Sequence, residues 1–127
     1  DLKSNPEQCK YEKVYDQIVR YIESAQPYLN CNLKIGELSG MLDINTTYIN
    51  KAILIYKNVN FNNFINTYRV AHAKRMIQDN AQYTLEYVYQ SSGFKNQSSF
   101  NRIFKTLEGS TPSEYRISIF IQNQSQL

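Results

Sequence analysis

Six positions recur along this chain in the same order. Ile35, Leu38, Leu42, Ile44, Ile49 and Ile53 match Leu85, Val88, Ser92, Phe94, Phe100 and Phe104, with one extra residue in the second copy after its turn. Within each copy the apolar residues fall three and four apart on either side of a break, so each reads as short helix, tight break, helix. Asp43 and Gly93 occupy the equivalent break. A positive φ is useful there, and Gly, or less easily Asp, supplies it. A chain built on this repeat has to bury two small helical cores.

Helical periodicity extends through the rest. Tyr11, Val14, Tyr15, Ile18, Val19 and Ile22 form one stripe, on a helix expected to end near Gln26 and Pro27. The first repeat begins at about Lys34, and Thr46 or Thr47 is expected to cap its second helix, which stops near Lys57 and Asn58. Asn60 to Asp79 is the longest periodic segment, about 30 Å as a helix. Thr84 is the expected cap of the next helix, another starts at Gln97, and a last short one runs from Pro112 to Phe120. The fold class is therefore all-α, with about seven helices. The expected divisions are an N-terminal linker over 1–10, a first subdomain over 11–58, a linker helix over 59–80, a second subdomain over 81–120 and a disordered tail over 121–127.

Composition removes several function classes. The 127 residues have four Gly, three Pro and 42% hydrophobic residues, which fits one folded domain with few hairpins. No apolar run reaches the roughly 18 residues of a membrane span, so no membrane contact is expected of this segment. The N-terminus lacks a signal-peptide layout, and a chain beginning at Asp1 without Met reads as an excised fragment. Two cysteines, Cys9 and Cys31, and one histidine, His72, give no metal-ligand spacing. A reducing cytoplasm is the expected location. No phosphate-cradling Gly loop and no paired nucleophile and base occur, so neither enzyme activity nor a cofactor is expected. Charge is uneven: residues 1–45 hold five basic and seven acidic side chains, residues 46–127 nine and four. A basic C-terminal part favours a polyanion, although ordinary solvated charge gives the same count.

Helix, tight break, helix is the layout of a helix-turn-helix, whose second helix presents its exposed N-terminal residues to base edges in the major groove. Subtracting the apolar set leaves Thr46, Thr47, Asn50, Lys51 and Leu54 on the first such helix. On the second it leaves Gln97, Ser98, Asn101, Arg102 and Lys105, with Asn96 just ahead. Arg pairs with guanine in bidentate fashion, Asn and Gln suit adenine, and hydroxyls or Lys hold phosphates. The second helix is the stronger reader on this chemistry, because the first turns apolar after Lys51.

These residues resemble the AraC/XylS family of bacterial transcription regulators over roughly residues 12–120. The likeness is strongest in the run from Ser92-Gly93-Phe94 through Gln97-Ser98-Ser99-Phe100-Asn101-Arg102 to Lys105, followed by Gly109-Ser110-Thr111-Pro112-Ser113-Glu114-Tyr115-Arg116. Phe64-Ile65-Asn66 with Tyr68-Arg69, Ala73 and Ile77 is similar to the family's linker helix. Pro27-Tyr28-Leu29 looks like the variant attached to large sensor proteins. The resemblance implies two readers in successive major-groove segments of double-stranded DNA, about 34 Å apart. It also implies contact with RNA polymerase or other transcription machinery, and a missing N-terminal sensory or dimerisation portion. By position the base-facing residues become Thr47, Asn50 and Lys51, then Gln97, Ser98, Asn101 and Arg102.

Some residues depart from that pattern. Asp43 replaces the usual turn Gly, Leu54 and Ile55 stand where the family is polar, and Tyr89 replaces a close-packing Ala. Tyr89 implies a shifted second unit or a side chain turned outward, with Ser92 making room. Arg69 is expected in a structural ion pair, and His72 as a packing or surface residue rather than a ligand. A helical protein-interaction domain that keeps this fold, with weak or non-specific DNA binding, is the competing reading.

Overall fold

A computed structural model describes residues 6–125, which form seven α-helices without strands among the described residues. They are α1 (Pro6–Ala25), α2 (Ile35–Leu42), α3 (Thr46–Lys57), α4 (Phe61–Asp79), α5 (Leu85–Ser91), α6 (Gln97–Glu108) and α7 (Pro112–Gln124), with a 3-10 turn at Pro27–Leu29. Two compact units result. One holds the described residues up to Pro27 together with Leu33–Ile65; the other holds Tyr28–Asn32 and the chain from Asn66 onward. The boundary within the long helix falls between Ile65 and Asn66, so α4 contributes a turn to the first unit and the remainder to the second.

Both ends are more helical than the sequence led us to expect. The stretch 1–10, read as linker, is helical from Pro6, because Pro at a helix start has no N–H to lose and nothing downstream breaks the periodicity. Residues 1–5 lie outside the described residues. The tail from 121 is helical to Gln124 rather than disordered. Its helix is launched by a capping box, in which Glu114 N donates to Thr111 Oγ1 at 3.2 Å and Thr111 N donates to Glu114 Oε1 at 2.8 Å. No Gly or Pro follows Pro112 to stop it, and residues 126–127 lie outside the described residues.

Short polar side chains fix where α3, α4, α5 and α6 begin, whereas α2 starts after Lys34 without a side-chain cap. Asn45, not Thr46 or Thr47, caps α3: its Oδ1 accepts from Thr47 N at 2.8 Å. Asn60 does the same for Asn63 N at 2.8 Å, and Asn96 for Ser99 N at 2.9 Å. Thr84 caps α5 as the sequence predicts, accepting from Tyr87 N at 3.1 Å. Each cap satisfies an amide that the helix itself leaves unpaired.

In the first unit α1 buries Tyr11, Val14, Ile18 and Ile22, α2 buries Leu38, α3 buries Ile49, Ala52 and Ile53, and α4 buries Phe61, Phe64 and Ile65. Tyr15 stacks on Tyr56 with ring centroids 4.8 Å apart and meets Phe64 edge-on at 6.2 Å, which ties α1 to α3 and α4. The second unit centres on Val70, Ala73, Ile77, Val88, Phe94, Phe100 and Phe104. Its rings run in series: Phe94 to Phe100 at 5.0 Å, Phe100 to Phe104 at 5.7 Å, Phe104 to Tyr115 at 5.6 Å.

Candidate nucleic-acid interface

The repeat survives as backbone geometry. Asp43 ends α2 with φ 55° and ψ 44°, and Gly93 stands at the equivalent break with φ 90°. The next residue closes each turn in the same way, Ile44 N donating to Ser39 O at 3.2 Å and Phe94 N to Tyr89 O at 3.0 Å. Caps at Lys34 and Thr84 precede these turns. Beyond them the caps fall at Asn45 and Asn96, and the left-handed stops at Asn58 and Gly109. The second copy thus gains its one residue between turn and helix. The Tyr89 side chain is not turned outward: its half-buried ring lies 5.6 Å from Phe100 and packs inward.

Gly93 and Arg69 hold the second unit together around the segment after α1. Arg69 Nε donates to Tyr28 O at 2.7 Å and its second amino group to Asn30 O at 2.8 Å. The expected ion pair at Arg69 is thus replaced by bonds to backbone carbonyls, which satisfy acceptors that a carboxylate could not. Burial lowers its pKa from the ordinary guanidinium value, with the charge retained. His72 Nδ1 lies 2.9 Å from the Oγ of Ser92, a fully buried side chain that also donates toward Met76 Sδ at 3.7 Å. His72 is half-buried, and its ring also meets that of Tyr28 edge-on at 6.4 Å.

On α6 the apolar and polar faces separate as far as Lys105, and Leu107 near the end is exposed. Phe100 and Phe104 are fully buried, while Gln97, Ser98, Asn101, Arg102 and Lys105 are exposed over two successive turns. Asn96 is exposed too, but its carbonyl oxygen is committed to the cap. On α3, Thr47, Asn50 and Lys51 are exposed and Thr46 is half-buried. Leu54 and Ile55 face outward at 56% and 48% exposure, so this helix has a mixed surface.

Sequence reasoning missed what stands beside α3. Lys51 Nζ lies 3.3 Å from Glu7 Oε1 and 5.0 Å from the Tyr11 ring centroid; Lys10 Nζ lies 3.9 Å over the Tyr48 ring. No local spacing links positions 44 residues apart; only the packing of α1 along α3 brings them together. Lys95, just ahead of Asn96, is exposed as well.

Two tandem motifs of this geometry, each with polar side chains exposed at the start of its second helix, define a double helix-turn-helix domain. Residues 38–118 match the helix-turn-helix domain family, and the chain belongs to it, in the AraC-type form. Over 101 residues the chain is 30% identical to an uncharacterised HTH-type transcriptional regulator of Staphylococcus aureus (strain COL), covering 80% of this chain and 13% of that protein. The chain thus spans a small fraction of the length of the curated relatives it matches. The C-terminal domain of AraT, a response regulator from Geobacillus stearothermophilus, has the same fold, with TM-score 0.73 and 17% identity over 83% of this chain and 84% of that one. So does the DNA-binding domain of AdpA, a global transcriptional factor solved in complex with a target DNA, with TM-score 0.73 and 16% identity over 85% and 94%. Among the described residues no group of three His, Cys, Asp or Glu side chains could hold a metal ion, and no helix is long and apolar enough to cross a membrane.

Proposed function

We propose that this chain is the DNA-binding domain of a transcription regulator, reading double-stranded DNA through α3 and α6. The observation that carries the reading is the exposed face of α6, where amide, hydroxyl, guanidinium and ammonium groups follow one another above a buried aromatic face. Arg102 and Asn101 supply bidentate base readout, Gln97 and Ser98 reach base edges from the helix start, and Lys105 holds phosphate. On α3, Thr46, Thr47, Asn50 and Lys51 form a weaker second reader. The function is binding rather than catalysis, and the site it acts at is cytoplasmic. Relatives several times the length of this chain support its place as the output module of a larger signal-responsive protein, whose other portion senses or dimerises and which engages RNA polymerase or other transcription machinery.

Selection of bound duplexes from a random DNA pool, repeated at two salt concentrations, tests this. The expected result is a motif of two blocks about one helical turn apart. One block would assign sequence reading to α6 and leave α3 as a clamp. Weak binding without any enriched motif would favour a protein-interaction domain, the reading to which exposed Leu54 and Ile55 point.

A further inference from the structure

The first two turns of α3 carry one cation, Lys51, and that cation is already engaged. Glu7, in the first turn of α1, places Oε1 3.3 Å from Lys51 Nζ. One turn along α1, the face of Tyr11 lies 5.0 Å from the same ammonium. The Tyr11 and Tyr48 rings meet at 6.0 Å, so the start of α1 lies along the flank of α3. A carboxylate oxygen close to an ammonium offers what a DNA phosphate offers, a charged acceptor.

We propose that Glu7 is a positioning residue for the first reader, an internal stand-in for a DNA phosphate that holds Lys51 against Tyr11 and cancels its charge until α3 docks. This rests on the reading of α3 as a DNA-facing helix. Both partners are substantially exposed, at 50% and 65%, and exposed pairs are weak, so a phosphate can displace the carboxylate. Glu7 therefore tunes the first reader instead of blocking it. The displaced carboxylate stays beside the docked helix and offsets the charge of Lys51, so the contact releases less than the full counterion of one phosphate. It also makes Lys51 a phosphate contact, leaving base reading on α3 to Thr47 and Asn50.

The test is the salt dependence of binding to a duplex carrying the selected motif. Neutralising one phosphate changes the slope of log affinity against log salt by about 0.9. Glu7→Gln is expected to tighten binding at low salt and steepen the slope by up to that amount. Combined with Lys51→Gln, the same change is expected to do nothing. Glu23→Gln adds equal charge about 24 Å further along α1, beyond the screening length of roughly 10 Å, and is expected to leave the slope unchanged. An unaltered slope in Glu7→Gln, an equal effect from Glu23→Gln, or an effect that persists without Lys51 would each overturn the proposal while the DNA-binding reading stands. Failure of the unsubstituted chain to bind any duplex would overturn both.

Discussion

The carbonyl oxygen of Tyr28 lies so close to Gly93 that a Cβ on residue 93 would collide with it. That Cβ would also stand 3.0 Å from Arg69 Nε and 3.1 Å from Leu29 Cα. Gly93 has φ 90°, so glycine is required by conformation and by space at once. The same carbonyl receives Arg69 Nε, so the turn of the second unit, the long helix and the segment after α1 converge on one acceptor.

Gly93→Ala is accordingly expected to lower stability by about 2 kcal/mol or more, since backbone strain alone costs of order 1–3 kcal/mol and the nearest obstructing atom, Tyr28 O, is main chain. The midpoint of urea unfolding measures it. A loss below about 0.5 kcal/mol, the range of an ordinary surface change, would show that the Tyr28 segment simply moves aside.

Arg102 and Lys105 lie three residues apart on the exposed face of α6, and the proposed reading gives them different work. Arg102→Ala is expected to cost roughly 1–3 kcal/mol of binding and relax base preference at one position. Lys105→Ala is expected to weaken binding on every sequence and lower the salt slope by about one. Affinities for the selected motif and a scrambled duplex, at several salt concentrations, separate the two. An equal loss on both duplexes would make Arg102 a phosphate contact.

The repeat was legible because each copy spends its apolar residues on a fixed period, and Asp43 and Gly93 mark a backbone conformation that few residues adopt. The exposed set of α6 followed by subtraction from the same pattern. Arg69 was misread because backbone carbonyls leave no trace in sequence: an Arg facing Tyr28 O and Asn30 O looks the same as one facing a carboxylate. The pairing of Glu7 with Lys51 was invisible for a related reason, since it depends on how α1 lies along α3. The cap of α3 was misplaced because Asn45, Thr46 and Thr47 are all competent cap residues, and local backbone geometry selects among them.

His72 is expected to give the second unit a pH dependence. Burial, reinforced by the charge of Arg75, lowers its pKa from the usual 6.5. The unfolded chain therefore takes up the proton first as pH falls, and the native state loses stability relative to it. Stability is expected to be fully present above about 6.5 and to decline below it, toward the depressed native value. Glu114, whose pKa is lowered by its bonds with Thr111, acts in a separate window below the usual 4.5. Urea midpoints measured across this range should show the upper decline in the unsubstituted chain and not in His72→Gln. Superimposable profiles would exclude His72 as the source.

Asn96 caps α6, and the DNA contact we propose for it is a second role that substitution can separate from the first. Its Oδ1 accepts from Ser99 N at 2.9 Å and starts α6, while the amide nitrogen of this exposed residue remains to donate to DNA. Asn96→Ala removes both and is expected to cost about 1 kcal/mol of stability together with affinity. Asn96→Asp keeps an equally good cap, and its charge suits a helix N-terminus, so stability should hold. It loses the donor and sets a carboxylate against phosphates, so DNA affinity should fall at low salt. Unfolding midpoints and binding isotherms on the same preparations decide the matter: an aspartate variant that is stable and binds undiminished would make Asn96 a cap and nothing more.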